Sequence, residues 1–383
     1  MLSTGLVLGC VPYTEAEDGG SDTGYTPTGT ADAPGEFPVR QADGQQLFMV
    51  GLGNDLPPNA ARPMAFDLTA PPPLHYLYLV GLPGRGGWPS WNEGGRFIDR
   101  QAAEAASHGV VPAFTLYAMA EDGEGNPDTI ADATYMAAWW DGYTLALERL
   151  ASFDHPALLH VEPDLWGFLQ KYGSDSPHDI PAVVGSEVAA CSDLPDTVAG
   201  FGRCVVRQAR AIAPNVHVGF HASRWADPDI RKVAAFMAET GAADADLLFV
   251  ETLDRDAGCF EVQAEGCTRD DGPWYWPVSE KGTPDFDAYL DDMAVLGDGV
   301  DLPLVFWQMP MGVPSEAAGG QPGQYRDTRV KHFFETPEAY AAAGGVAVLF
   351  GPGWTGQTDL SSDGGQFEGY WNAWRKAPLV LEP

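Results

Sequence analysis

Acidic side chains in this sequence recur directly after runs of apolar residues. Glu162 and Asp164 follow one such run, and Glu251 and Asp254 follow another. A pair of carboxyl groups can protonate a leaving oxygen and activate water, which is the chemistry that hydrolysis of a glycosidic bond requires. Side chains alternate along an extended strand, so Glu162 and Asp164 are predicted to point into the same cleft if the strand continues past Pro163. The four residues are candidate catalytic groups, and which two form the pair is left open.

Aromatic and polar residues near the same positions are typical of a cleft that binds sugars. Tryptophan and tyrosine rings offer flat apolar surfaces, and histidine, arginine and glutamine side chains can hydrogen-bond hydroxyl groups. The predicted substrate-binding residues are Trp88, Trp91, Tyr117, Trp166, His221, Arg224, Trp307, Gln308 and Trp354. His160 lies deeper in its strand and is interpreted as a core residue. Trp139 and Trp140 lie in a segment of helical period and are interpreted as packing residues.

Eight apolar segments of strand length would position these side chains. They cover residues 47–52, 76–80, 110–116, 158–162, 216–221, 247–252, 304–308 and 346–350. Most are continuous apolar runs, as expected for parallel strands that helices cover. Segments of helical period alternate with them, at 96–108, 135–153, 198–213, 228–241, 286–296, 337–343 and 367–376. This order predicts an α/β protein with a single (β/α)8 (TIM) barrel, whose active site would lie at the C-terminal ends of the strands.

An open, doubly wound sheet is the alternative arrangement of the same elements. Such a sheet carries a glycine-rich phosphate loop after its first strand. Here Gly51 and Gly53 are not followed by a third glycine, and the chain runs into Pro57 and Pro58 instead of a helix. The barrel is therefore favoured. The sequence also lacks the Gly-x-Ser-x-Gly, His-Glu-x-x-His and P-loop motifs of other enzyme classes.

The segment after the fourth strand resembles two groups of glycoside hydrolases. Glu162-Pro163 resembles the Glu-Pro of clan A enzymes, whose acid/base glutamate lies at the end of strand 4. Glu162-Pro163-Asp164 also resembles the Glu-Pro-Asp segment of family 6 cellulases. The resemblance implies that the protein is a glycosidase acting on a polysaccharide or oligosaccharide, with Glu162 as general acid.

The resemblance to clan A has two departures. Clan A enzymes have an asparagine before the glutamate, where this chain has Val161, and a nucleophilic glutamate at the end of strand 7, where it has Gln308. The nucleophile therefore does not carry over, and Glu251 or Asp164 is left as base or nucleophile. Gln308 also keeps open a second hypothesis, a noncatalytic polysaccharide-binding barrel at a cell surface.

A third hypothesis is a metal-dependent hydrolase. His160, Glu162, His221 and Glu251 would lie close enough in a barrel to hold a metal ion, although no metal site is assigned from the sequence. The acidic loops 121–126 and 361–365 are where a structural Ca²⁺ would bind, but neither has the spacing of an EF-hand. No other cofactor is expected.

The composition excludes several classes of protein. Lys and Arg number 21 and Asp and Glu number 54, which gives a net charge of −33. Such a charge repels phosphate backbones and anionic lipids, so binding to nucleic acid or to a membrane surface is not expected. The hydrophobic fraction of 45% excludes global disorder. A monomer is expected, with a polysaccharide substrate as its partner.

The N-terminal segment indicates export. Val7-Leu8-Gly9-Cys10 resembles the lipobox of bacterial lipoproteins, in which the cysteine is lipidated, although no Lys or Arg precedes it. Residues 1–13 are interpreted as a truncated signal, residues 14–44 as a flexible acidic linker and residues 45–383 as the catalytic barrel. The predicted location is extracellular or at the cell surface, with Cys10 as a lipid anchor.

The remaining four cysteines form two local pairs in the sequence. Cys191 lies near Cys204, and Cys259 lies near Cys267, without the C-x-x-C spacing of zinc or redox sites. In an exported chain this arrangement predicts two short-loop disulfides. Four buried free thiols are the alternative.

Overall fold

Eight parallel strands form a closed barrel in the computed structural model, which describes residues 37, 45–53, 65–120, 123–252, 285–311, 313–314, 325–326, 329–351 and 359–381. Each strand pairs with the next in chain order, and the last pairs with the first. The strands are β1 (Met49–Gly53), β2 (Leu74–Val80), β3 (Val111–Tyr117), β4 (Ala157–Val161), β5 (Val216–Ala222), β6 (Leu247–Glu251), β7 (Leu304–Pro310) and β8 (Gly345–Gly351). The predicted single (β/α)8 barrel is confirmed. The lipobox and Cys10 lie outside the described residues and stay predictions. Of the predicted linker 14–44 only Phe37 is described, and its side chain is buried beside His217, with ring centroids 5.3 Å apart.

Helices surround the barrel. They are α1 (Phe97–Ser107), α2 (Ala133–Phe153), the short α3 (Leu165–Phe168), α4 (Val198–Ile212), α5 (Ile230–Glu239), α6 (Phe286–Val300), α7 (Arg329–Glu335), α8 (Pro337–Ala342) and α9 (Gln366–Trp374). Side-chain caps fix several starts; Asp132, for example, accepts a hydrogen bond from the Tyr135 N–H at the start of α2. The sequence prediction missed α7, because seven residues before Thr336 and Pro337 are too short to show a helical period. None of the described helices is long and apolar enough to cross a bilayer.

The apolar side chains divide into two layers. Residues such as Tyr76, Tyr78 and Leu158 point into the barrel and pack against one another. Their neighbours in sequence, such as Leu77 and Leu79, point outward and pack under the helices. This division follows directly from the period-two alternation of side chains along a strand, and it decides which polar residues can reach the barrel mouth.

The N-terminal end of the barrel is closed by a small antiparallel pair. Residues Gln46–Leu47 pair with Val380–Leu381, so the last described strand lies beside the segment that enters β1. This pair lies at the end of the barrel opposite the C-terminal ends of the strands.

One of the two predicted disulfides is confirmed. Cys191 and Cys204 are bonded, with Cα atoms 5.8 Å apart, and the bond joins α4 to the loop before it. Cys259 and Cys267 lie outside the described residues, so their pairing stays a prediction.

Candidate active site

The floor of the barrel mouth is aromatic. Trp307 on β7 lies at its centre, with ring centroids 4.8 Å from His160 and 5.4 Å from His221. Tyr76 and Tyr78 contact the other side of the same indole. Trp307 is buried, and its Nε1 has no hydrogen-bond partner among the described residues. The indole is therefore the buried base of the mouth.

Glycines on β1 and β8 make room for this floor. A Cβ atom at position 351 would lie 2.1 Å from the Tyr76 hydroxyl, and one at position 53 would lie 2.2 Å from the Tyr76 carbonyl oxygen. Only Gly351 and Gly53 allow Tyr76 to fill this side of the mouth.

A row of polar groups crosses the floor from β3 to β6. The Thr115 hydroxyl lies 3.3 Å from His160 Nδ1, and His160 Nε2 lies 3.2 Å from His221 Nδ1. His221 Nε2 then lies 3.9 Å from the Glu251 carboxylate, an electrostatic contact that is longer than a hydrogen bond. Burial lowers the pKa of His160 well below its usual value, and the neighbouring His221 lowers it further, so the His160 ring is neutral.

The two histidine rings and Thr115 form a hydrogen-bonded row that ends next to Glu251. In one direction the Thr115 hydroxyl donates to His160 Nδ1, and the His160 Nε2–H donates to His221 Nδ1. This arrangement places the N–H of His221 at Nε2, on the side of the ring that faces Glu251. Both hydrogen bonds can also run in the opposite direction while only hydrogen atoms move. The interpretation of His160 as a mere core residue was therefore incomplete.

Glu251 is the last residue of β6 and points into the mouth. It pairs in register with Trp307, and the alternation from Leu247 and Phe249 places its side chain inside the barrel. The Trp225 Nε1–H donates to its carboxylate at 3.0 Å. The side chain is 7% exposed, so this carboxyl can meet a ligand only from the mouth. The sequence prediction omitted Trp225, although its place four residues after His221 was a usable signal.

Asp164 is the second carboxylate at the mouth. The Tyr117 hydroxyl, at the end of β3, donates a hydrogen bond to Asp164, and it also lies 3.2 Å from Glu124. Burial raises the pKa of Tyr117 well above its usual value, and the charges of Asp164 and Glu124 raise it further, so the hydroxyl keeps its proton. Asp164 is only partly buried, so solvent and ligands can reach it. Tyr117, predicted as a substrate-binding residue, thus lies at the mouth and donates to Asp164.

Glu162 does not point into the mouth, contrary to the sequence prediction. Its φ of +47° is in the left-handed region, which breaks the alternation of β4 directly after Val161. Its carboxylate instead accepts the Trp139 indole N–H of α2 at 2.7 Å and the backbone N–H groups of Ala118 and Met119 at 3.1 and 3.3 Å. The side chain is fully buried. Glu162 is therefore a structural acid between the barrel and α2, and Trp139 packs there as predicted but also serves as its donor.

Backbone strain marks two of the strand ends at the mouth. Among the described residues other than glycine, positive φ occurs at Asp154 and Asp301, which end helices, and at Glu162 and Gln308. At Gln308 (φ +51°) the register between β7 and β8 shifts. Such strain persists only where surrounding contacts hold it, and it concentrates at functional sites. Gln308 is nearly buried, and its Oε1 has no hydrogen-bond partner in the described part of the chain.

Two of the predicted sugar platforms are wrong. Trp88 and Trp166 are both fully buried in the outer core, where Trp166 stacks on Phe201. A platform must expose one ring face, and neither residue does. Trp91 is partly buried with its ring edge-on to Phe97.

The remaining predicted site residues are found in different places. His221, Trp307 and Gln308 lie at the mouth, as described above. Arg224 is held instead by an ion pair with Asp292 of α6, with Nε and Oδ2 2.5 Å apart. Its guanidinium is thus engaged with α6 and with the Asp227 carbonyl oxygen. Asp254 and Trp354 lie outside the described residues and stay predictions.

The four groups considered for a metal ion are not gathered around one point. Glu162 is turned toward α2, while the rings of His160 and His221 hydrogen-bond each other. Within the described ranges, no three His, Cys, Asp or Glu side chains are placed to hold a metal ion together.

We expect His160 to act as a positioning residue for His221. His160→Phe keeps an aromatic ring on Phe249, where His160 now stacks at 4.1 Å, but removes both ring hydrogen bonds. We expect kcat to fall about 5- to 10-fold, the usual worth of one net hydrogen bond, with little change in KM. His160→Gln, which restores one polar contact, should recover part of the loss. A pH–rate profile that does not change in His160→Phe would contradict the role, because a packing residue would leave the profile in place.

Comparison with known proteins supports the fold and leaves the activity open. No protein-family profile matches the sequence, and no curated protein has significant sequence similarity to it. The GH53 catalytic domain of Ignisphaera aggregans is similar in structure, with a TM-score of 0.51 and 11% identity over 84% of this chain and 90% of that chain. A GH26C structure from Muricauda sp. (TM-score 0.49, 10% identity, 86% of each chain) and a GH26 β-mannanase from Bacteroides ovatus (0.48, 11%, 88% and 91%) are also similar. At 11% identity the likeness to the GH53 domain shows the (β/α)8 barrel fold alone.

Proposed function

We propose that the protein hydrolyses glycosidic bonds in a polysaccharide or oligosaccharide, with Glu251 and Asp164 as its carboxyl pair. The observation that carries this proposal is the arrangement of the two carboxylates above one aromatic floor. Each is held by an aromatic donor, Trp225 for Glu251 and Tyr117 for Asp164. Two carboxyl groups that flank the scissile bond are what a glycosidase of this kind requires.

The surroundings of the two carboxyl groups favour different roles. Glu251 is nearly buried against Trp225 and His221, whereas Asp164 is more exposed and accepts from the Tyr117 hydroxyl. In known carboxyl pairs the general acid lies in the more buried site and its partner lies in the more solvated one. We therefore assign Glu251 as general acid and Asp164 as the carboxylate that activates water or attacks the sugar.

The remaining mouth residues fit substrate binding. Trp307 Nε1 and Gln308 Oε1 are a donor and an acceptor without hydrogen-bond partners in the described part of the chain. Buried polar atoms of this kind lose free energy unless they are paired, so a sugar hydroxyl at either one would bind favourably.

We also propose that the protein acts outside the cytosol, as a monomer. The Cys191–Cys204 disulfide supports this location, because such bonds persist in oxidising compartments. The net charge of −33 supports the monomeric state, since molecules of the same strong charge repel one another.

A polysaccharide panel tests the proposed activity. Reducing-sugar release is measured for plant, algal and bacterial polysaccharides, each with and without EDTA. We expect release from at least one substrate at the same rate in both arms, because carboxyl catalysis needs no metal ion. Binding without release would support the noncatalytic alternative, and activity lost with EDTA would support the metal-dependent one.

A further inference from the structure

A row of aromatic rings extends from the mouth to the protein surface. We name it the aromatic stripe and define it as Trp225, Phe168 and Tyr172. The rings of Phe168 and Tyr172 are nearly parallel, with centroids 5.8 Å apart and an interplanar angle of 13°. Phe168 and Trp225 follow at 4.7 Å. The rings therefore follow one another in contact from Tyr172 to Trp225, whose indole N–H donates to Glu251.

The outer end of the aromatic stripe exposes apolar surface to solvent, and such exposure does not stabilise the fold. Tyr172 is 57% exposed, and Val380 is the other large apolar residue exposed in the described ranges. Lys171 places its Nζ over the rings of both Tyr172 and Trp225, at 5.7 and 5.2 Å from their centroids. Lys171 therefore contacts two of the three rings, while Tyr172 stays largely open to solvent.

The backbone is shaped so that the stripe can form. Phe168 and Tyr172 are four residues apart, at the end of α3 and in the π-helical turn Leu169–Gly173 that continues it, so they lie on one face. A Cβ atom at position 167 would lie 2.9 Å from the Trp225 ring, so glycine there allows the indole to approach the helix. A single π turn inside a helix is a frequent companion of functional sites.

We propose that the aromatic stripe is a binding subsite for neutral sugar rings of the polysaccharide chain, beyond the bond that is cleaved. This inference rests on the proposed function, because it takes Glu251 as the reacting end. A stripe one ring wide fits a sugar chain, whereas a protein partner would need a contact surface of about 800 Å² on each side. A net charge of −33 repels acidic polysaccharides, so a neutral chain is favoured.

The test compares substrates of different length in Tyr172 variants. Neutral gluco-, manno- and galacto-oligosaccharides of two to six units serve as probes. For Tyr172→Ala we expect KM for the hexasaccharide to rise about 3- to 10-fold, the range for loss of one ring contact, and the rise to shrink as the probe shortens. Tyr172→Phe, which keeps the ring, should behave like the wild type. Val380→Ala is the matched control, since it removes exposed apolar surface at the opposite end of the barrel.

Calorimetric titration separates failure of the subsite from failure of the proposed activity. Tyr172-dependent binding without cleavage would support the stripe and refute the hydrolase. Cleavage with equal KM and equal affinity in wild type and Tyr172→Ala would refute the stripe and leave the hydrolase standing. Absence of binding for every neutral probe, or tighter binding of an acidic oligosaccharide, would also overturn the proposal.

Discussion

Replacement of Glu251 by glutamine is expected to lower kcat about 10²- to 10⁴-fold, the usual contribution of one acid/base group. Glutamine keeps an oxygen that can accept the Trp225 indole N–H, so the local structure should persist. It cannot deliver a proton to the leaving oxygen. Substrates with a good leaving group need less protonation and should lose the least activity. Initial rates on an aryl glycoside and on the natural polysaccharide measure the difference.

The control for this prediction is Glu239→Gln, which changes an exposed glutamate at the C-terminal end of α5. It removes the same charge without touching the mouth, and its kinetics should match the wild type. An equal loss for Glu251→Gln across all leaving groups would instead assign Glu251 as the nucleophile. Full activity of Glu251→Gln would remove it from the mechanism.

Replacement of Glu162 by alanine is expected to destabilise the fold by about 3 kcal/mol or more, at about 1–3 kcal/mol for each buried N–H group that loses its acceptor. The change would leave the Trp139 indole N–H and the Ala118 and Met119 backbone N–H groups buried without their acceptor. Urea unfolding of the wild type and of Glu162→Ala measures the difference. A change of less than about 1 kcal/mol, the scale of a surface substitution, would contradict the structural role.

The Glu162 carboxyl also makes the free energy of unfolding depend on pH. Burial raises the pKa of Glu162 to about 8, although the three N–H donors oppose that shift. The unfolded chain has an ordinary pKa of about 4.3, so the folded state binds this proton more tightly. The stabilisation is complete below about pH 4.3 and is lost as the pH rises toward 8, with a total of roughly 5 kcal/mol at 1.36 kcal/mol per pH unit.

The pH effect is isolated by Glu162→Gln, which resembles the protonated acid and does not titrate. The difference in unfolding free energy between wild type and Glu162→Gln should change by several kcal/mol between pH 5 and pH 8. The comparison cancels the general repulsion among the other carboxylates. A difference that is constant over this range would show that Glu162 is ionised in the folded protein throughout.

The barrel could be predicted from sequence because its strands are buried on both faces. Runs such as Leu247–Glu251 are continuously apolar up to the polar residue that ends them, so both the strand and its functional end are visible. The same logic correctly placed Glu251 and His221 at the mouth. It worked wherever the alternation of side chains continued to the end of the strand.

The site predictions were wrong where the backbone departs from that alternation. Glu162 follows β4 directly, and parity aims it at the mouth, but its left-handed φ turns it toward α2. Nothing in the residues Glu-Pro-Asp signals this turn. Trp88 and Trp166 were wrong for another reason, since proximity to a strand end does not determine which side of the helical layer a ring enters. Trp225 was missed because its importance comes from its contact with Glu251.

The most direct test of the account compares three neutral variants in one assay. Hydrolysis rates of the best polysaccharide substrate are measured for Asp164→Asn, Glu251→Gln and Glu162→Gln, each corrected for its folded fraction. We expect kcat to fall at least about 10²-fold in Asp164→Asn and in Glu251→Gln, because both carboxyl groups act at the reacting bond. We expect Glu162→Gln to retain most of its activity. A steep loss in Glu162→Gln, together with retained activity in Asp164→Asn and Glu251→Gln, would contradict the account.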